Sequence, residues 1–221
     1  MAGKPELQKG YLGPQSKFAE FGLSTASHQD PEINIDSNQL EVKIRFSKPT
    51  KVTANLTNCA KNEELPQHVF TQTRDDVVTF TVSLPEVGWY KLQIFALLLP
   101  DDSKTLPGVY NYLINCSRVS SAIVNFPKQF AQWKEGCYIV SPIYLDPNVS
   151  LANTKFEAFI PKVKSAAVVV DGNWTHLNQN AAGLWEGTVN LDSYRFKDAK
   201  VTLNANYGED NKFSTLLEYK I

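Results

Sequence analysis

Apolar residues recur at alternate positions through most of this chain, and the longest such run frames the rest. Tyr90, Leu92, Ile94, Ala96 and Leu98 alternate with Lys91 and Gln93. A period of two places one side of a strand in a core. The opposite set also turns apolar at Phe95, Leu97 and Leu99, which predicts cover on both faces at the far end. Asp101 to Lys104 interrupt the run and Pro107-Gly108 close the loop. A second strand then returns with Tyr110, Tyr112, Ile114 and Cys116 on one face. Leu84 to Cys116 therefore reads as a long antiparallel hairpin whose loop exceeds a two-residue turn.

Upstream of the hairpin, the polar residues to about Tyr11 read as a loose tail. Gly13 to Gly22 reads as a short helix, with Pro14 at its first position, Gly22 as its stop, and Phe18 and Phe21 docking one face. Leu23 to Pro31, which contains His28, reads as a linker. Leu40, Val42, Ile44 and Phe46 form a strand, Pro49 a turn, and Val52, Ala54 and Leu56 its expected partner. Lys61 to Pro66 is a loop. Val69–Thr73 and Val78–Leu84 flank a turn at Asp75-Asp76.

Ser117 to Ser121 marks the expected boundary, followed by an irregular aromatic entry at Phe126-Pro127 and Phe130-x-x-Trp133. Strand patterns follow from Cys137, Val149–Ile160, Ser165–Val170, Trp174–Leu177, Trp185–Leu191, Lys200–Tyr207 and Phe213–Tyr219. Hairpin turns are expected at Asp171-Gly172 and Tyr207 to Asn211. No segment beyond Ser24 carries a helical period. The chain is predicted to be all-β: two tandem immunoglobulin-like β-sandwich domains, residues 30–117 and 118–221. Residues 1–29 form a tail, short helix and linker before them.

Glu86-x-Gly88-x-Tyr90-x-Leu92 has the spacing of a tyrosine corner, in which a Tyr hydroxyl bonds back to nearby backbone. Leu92 stands where such domains place their second cysteine, so packing rather than an inter-sheet disulfide must hold this core. A buried Tyr in some other antiparallel sheet is the plainer alternative.

Composition narrows the function classes. A hydrophobic content of 43% with 20% charged residues is that of a folded chain rather than a disordered one. The net charge of −1, with no basic stripe, disfavours nucleic acid as a partner. No apolar run approaches the roughly 18 residues that span a bilayer. The first residues lack the apolar core of a signal peptide, so a cytoplasmic location is expected. Three cysteines, Cys59, Cys116 and Cys137, close no disulfide framework and match no zinc spacing. Four glycosylation sequons, at Asn55, Asn115, Asn148 and Asn173, hold open the alternative of an extracellular protein whose leader was omitted.

Candidate chemistry is sparse. A Cys–His nucleophile needs a thiolate beside an imidazole, and only His28, His68 and His176 are present. Cys116 has the parity of a small buried residue, Cys59 follows Asn58 in a loop, and Cys137 is ambiguous. Asp75-Asp76 and Asp101-Asp102 sit on turns, where carboxylates gather calcium or simply bond local backbone. Neither pair has further oxygen ligands close in sequence. Aromatics of outward parity can make a peptide or carbohydrate platform. Trp174 beside His176 is the best such surface, against the usual core role of tryptophan. The expected assignment is no catalytic, cofactor or metal residue, a binding surface at Trp174 and His176, and structural roles for Tyr90, Leu92 and Cys116.

The order of motifs adds a resemblance. Leu12-Gly13-Pro14, Gly22-Leu23 and Ser27-His28 precede Gly88-Trp89-Tyr90-Lys91-Leu92-Gln93-Ile94-Phe95-Ala96 and Val109-Tyr110-Asn111-Tyr112-Leu113-Ile114-x-Cys116. Phe156-x-x-x-Ile160-Pro161, Val168-x-Val170-Asp171-Gly172 and Leu184-Trp185-Glu186-Gly187 follow. This succession resembles the C-terminal half of the kyphoscoliosis peptidase and hillarin family, over nearly all of the chain after residue 11. In that family a transglutaminase-like domain with a Cys, His and Asp triad precedes these modules, and the proteins are cytoskeleton-associated. No segment here matches that domain. The resemblance thus implies fold and an interaction role with cytoskeletal protein partners, and transfers no catalytic residue. The alternatives are a secreted or cell-surface adhesion or carbohydrate-binding protein, and an accessory part of a transglutaminase-like peptidase.

Overall fold

Strands are the dominant regular structure, as the period of two requires, and among the described residues the single α-helix, α1, is Ser16–Glu20. A computed structural model describes residues 3–208 and 210–221 and divides them between Asn125 and Phe126 into two compact units. The first contains β1 (Gly13–Pro14), α1, β2 (Leu23–Thr25), β3 (Glu32–Ile35), β4 (Gln39–Phe46), β5 (Thr50–Asn58), β6 (Glu63–Glu64), β7 (Val69–Arg74), β8 (Val77–Ser83), β9 (Gly88–Leu98) and β10 (Gly108–Cys116). One sheet has the order β1-β10-β9-β5-β6, with β3 parallel to β10; the other has the order β2-β4-β8-β7. The β9–β10 hairpin opposes Leu92 to Tyr112 and Tyr90 to Ile114. Their inward side chains meet Val42, Ile44, Phe80 and Val82 of the other sheet in one core.

Several local expectations change. The helix begins at Ser16, because Pro14 is extended and pairs with Tyr110; Gly22, at φ 73°, still ends it. Phe18, Phe21 and Leu23 are buried in the core, so this segment is part of the first unit. Leu23–Thr25, expected as linker, is β2 on β4. The next residues are pinned by two buried tyrosines: Tyr112 donates to the His28 carbonyl at 2.7 Å and Tyr110 to that of Gln29 at 3.2 Å. Strands β4 and β5 do not pair. β4 lies between β2 and β8, and β5 between β9 and β6. The chain crosses from one sheet to the other at Pro49, so that both apolar faces reach a common interior. Alternation alone fixes a face and not a neighbour.

The first unit also runs past the boundary expected near Ser117. Asn38, fully buried, accepts the backbone N–H groups of Ser120 and Ser121 at 3.1 and 2.9 Å. Its amide donates to the carbonyls of Leu84 and Ser121. The Ser83 hydroxyl accepts the Val124 N–H at 2.9 Å, and His68 Nδ1 bonds the Val124 carbonyl at 3.0 Å. Three buried polar side chains thus hold residues 120–124 in place, and in return each is satisfied.

The second unit contains β11 (Lys128–Gln129), β12 (Tyr138–Ser141), β13 (Thr154–Phe159), β14 (Ser165–Val170), β15 (Asn173–His176), β16 (Asn178–Gln179), β17 (Trp185–Val189), β18 (Lys200–Asn206) and β19 (Ser214–Lys220). Its sheets have the orders β11-β19-β18-β14-β15 and β12-β13-β17-β16. Phe156 of β13 meets Tyr219 of β19 edge to face at 5.8 Å, joining the two across the interior. Asp171 and Gly172, both at positive φ (49° and 76°), make the two-residue turn between β14 and β15. Of the turn expected at Tyr207 to Asn211, Glu209 lies outside the described residues. The chain then passes from β15 in one sheet to β16 in the other, with Leu177 buried at the crossing. A Cβ on Gly187 would approach Leu177 Cδ2 to 2.8 Å, so a side chain there would make the Leu177 side chain shift. Among the described residues, no helix is long and apolar enough to cross a membrane.

Candidate functional site

Strand register maps the outer face of the five-stranded sheet. One row runs Trp174, Val169, Thr202, Glu218, Lys128 across all five strands; the next runs His176, Ala167, Asn204, Thr215. Side chains on this face point away from the core, yet Ala167 and Asn204 are buried. Rings gather at the same end of the face. Trp174 and His176 stack at 6.0 Å with 25° between their planes, and Phe213 meets Trp174 at 5.0 Å and 73°. His176 and Phe213 are 6.3 Å apart at 66°. Trp174 nevertheless remains 50% exposed.

Beside the rings is a polar floor that satisfies itself. The Asn204 amide donates to Thr202 Oγ1 at 2.9 Å and to the Thr202 carbonyl at 3.2 Å. Its oxygen accepts the Thr215 hydroxyl at 2.9 Å. Asn173 donates to the Tyr194 hydroxyl at 3.1 Å, tying the start of β15 to the short 3-10 helix Asp192–Tyr194. The rings therefore stand on a fixed surface. Large flat side chains with few rotatable bonds lose little entropy when a partner covers them, which suits them to recognition. The expected pair Trp174 and His176 is on one face, as its i, i+2 spacing requires. Phe213 was missed, because its proximity arises only when β19 folds back beside β18.

The other singled-out residues lie elsewhere. Tyr90 is fully buried; its hydroxyl donates to the Glu86 carbonyl at 2.7 Å and accepts the Glu86 N–H at 3.2 Å. Burial pushes its pKa up to about 12. Leu92 packs in the same core. Cys116 is buried and donates to the carbonyls of Ser37 and Arg118 at 3.3 and 3.5 Å. Cys137 donates to that of Gln132 at 3.6 Å. Burial raises the pKa of both, that of Cys137 to about 12, so each is held as thiol rather than nucleophilic thiolate. Cys59 is half-buried.

Of the histidines, His68 is occupied by Val124, and His28 Nδ1 lies 2.7 Å from the Ser27 hydroxyl. Asp101 turns its carboxylate inward on its own loop, accepting the Ser103 N–H and hydroxyl at 2.9 and 2.7 Å. Asp76 faces Arg45 at 3.3 Å. Among the described residues, no group of three or more His, Cys, Asp or Glu side chains is arranged to hold a metal ion.

Comparison with known proteins bears on the first unit most directly. Residues 8–127 match the family described as KY-like, immunoglobulin-like domain. Kyphoscoliosis peptidase of Mus musculus is 25% identical over 215 residues, which are 95% of this chain and 31% of that protein. Hillarin of Drosophila melanogaster is 36% identical over 97 residues, 43% of this chain and 12% of its own length. The chain thus spans less than a third of each relative. Among solved structures, the Lin-41 filamin domain aligns over 47% of this chain and 97% of itself, with 13% identity and a TM-score of 0.29.

Proposed function

Since this chain belongs to the KY-like, immunoglobulin-like domain family, we propose that it serves as a non-catalytic protein-interaction module. In this reading the second unit is a further immunoglobulin-like sandwich in tandem with the first. The contact surface is the Trp174–His176–Phe213 face, and the partner is a cytoskeletal protein in the cytoplasm. The observation that carries the reading is an exposed set of interlocked rings on a sheet whose own polar groups are satisfied. Such a surface presents ring area that a partner can cover. The kyphoscoliosis peptidase name belongs to proteins about three times longer than the stretch matched here. Their activity need not reside in this portion.

The test is co-sedimentation of the full chain with a cytoskeletal filament fraction, beside Trp174→Ala and Phe213→Ala. The expected result is retention of the parent chain and loss of both variants, with near-ultraviolet circular dichroism otherwise preserved. Equal retention of all three would remove the surface assignment, and turnover of a peptide substrate by the chain would remove the non-catalytic role. Exposed sequons at Asn148 and Asn173 favour one other reading, an extracellular adhesion protein. Glycan mass on the native protein is its test.

A further inference from the structure

The outer face of the six-stranded sheet in the first unit is covered by the chain's own N-terminal segment. Leu113 is fully buried but stands outside the core cluster. Its register with Lys91 and Glu32 puts it on the face that points away from the interior. What crosses that face is Lys4 to Tyr11, expected from its polarity to be a loose tail. Lys4 Nζ reaches Glu32 at 2.8 Å and stands 5.7 Å from the Trp89 ring centroid. At the other end, Lys91 Nζ stands 5.3 Å from the Tyr11 ring centroid, and Asn111 donates to the Tyr11 carbonyl at 2.9 Å. Leu113 lies between these two ties.

The cover is weakly held at its Lys4 end, whereas Gln15 Nε2 donates to the Gly10 and Tyr11 carbonyls at 3.3 and 3.0 Å at the other. Lys4 and Glu32 are 51% and 29% exposed, so solvent and salt screen their attraction. Glu6, Gln8, Lys9 and Gly10 are exposed. The Tyr11 hydroxyl is enclosed and makes no hydrogen bond among the described residues, an uncompensated desolvation that favours lifting. From β1 onward, by contrast, the segment is fixed through buried Phe18, Phe21 and Leu23. Cys59 adjoins this cover: its N–H bonds the Trp89 carbonyl at 3.0 Å. Its thiol is near enough to Tyr11 that a thiolate would oppose ionisation of the phenol.

We propose that Lys4 to Tyr11 is a displaceable strap, closed over the outer face of this sheet and able to lift, uncovering Leu113, Trp89 and the Cys59 thiol. The strap regulates access to an apolar surface that would otherwise be permanently exposed. Its contacts at Lys4 make opening sensitive to ionic strength, whereas the fold beneath it does not depend on them.

Cys59 supplies the reporter. The full chain is alkylated natively with iodoacetamide and the modified cysteine read by mass spectrometry, for the parent, Lys4→Glu, and Lys4→Glu with Glu32→Lys. Lys4→Glu should speed Cys59 modification by roughly three- to tenfold, the exchanged pair should restore the slow rate, and salt raised from about 50 to about 500 mM should speed the parent. The added carboxylate disfavours thiolate, so a faster rate reports access and not acidity. An unchanged Cys59 rate in Lys4→Glu would overturn the strap. So would a rate that rises together with that of Cys116, because the whole unit would then be loosening. If the exchanged pair misfolds, the salt dependence of the parent decides alone, and a flat profile counts against the proposal.

Discussion

Replacing Tyr90 by Phe isolates one hydroxyl in the first unit. That hydroxyl both donates to and accepts from the backbone of Glu86, at 2.7 and 3.2 Å, while the ring it tips is wholly buried. Phe keeps the ring and removes two hydrogen bonds, each with a net worth of about 0.5–1.5 kcal/mol. Glu86 is only half-buried, so water takes over part of what its N–H and carbonyl lose. The expected destabilisation is therefore about 1–2 kcal/mol. With a urea slope of about 2 kcal/mol per molar, the midpoint should fall by about 0.5–1 M. Pulse alkylation of Cys116 along a urea series reads the first unit specifically, since that thiol is buried in its core. A midpoint that moves by less than about 0.2 M would refute the claim that this hydroxyl holds the turn before β9.

Alkali supplies a second readout of the same group. Burial raises the Tyr90 pKa from 10.0 to about 12 in the fold, so its contribution is fully present below pH 10 and is lost as pH rises toward 12. Burial raises Tyr112 as well, so the Phe variant should show a shallower alkaline loss of stability rather than none.

Two further outcomes are expected. Asn38→Ala removes four hydrogen bonds and leaves the carbonyls and amides of residues 84, 120 and 121 without their buried partner. It should cost about 2–4 kcal/mol in urea denaturation, and an unaltered midpoint would show that residues 120–124 are dispensable to the first unit. In native alkylation near neutral pH, Cys59 should react well before Cys116 and Cys137, which are both buried and held protonated. Early modification of Cys137 would contradict its enclosure.

What the sequence disclosed followed from physics that is local. Alternation located β9, β10, β14 and β18 closely, and Asp171-Gly172 announced its turn because both positions need positive φ. The parity of Trp174 and His176 put two rings on one face. What it withheld depends on residues far apart in the chain. Nothing near Pro49 says that β4 and β5 enter different sheets. Ser117 to Ser121 looks like a domain boundary until Asn38, His68 and Ser83 are found to hold residues 120–124. Pro14 carries a helix-starting signal, but pairing with Tyr110 prevails over it. Phe213 could be known as a ring beside Trp174 only after a strand returned across the sheet.

The two short pieces laid along β10 have a consequence for crowding. β1 takes up its first half and, farther on, β3 runs parallel beside residues 113–116. A strand flanked on that side already has its amides and carbonyls engaged, so no second molecule can extend the sheet there. Copies brought to high local density therefore meet, on that side, only the short β1 and β3 rather than β10 itself.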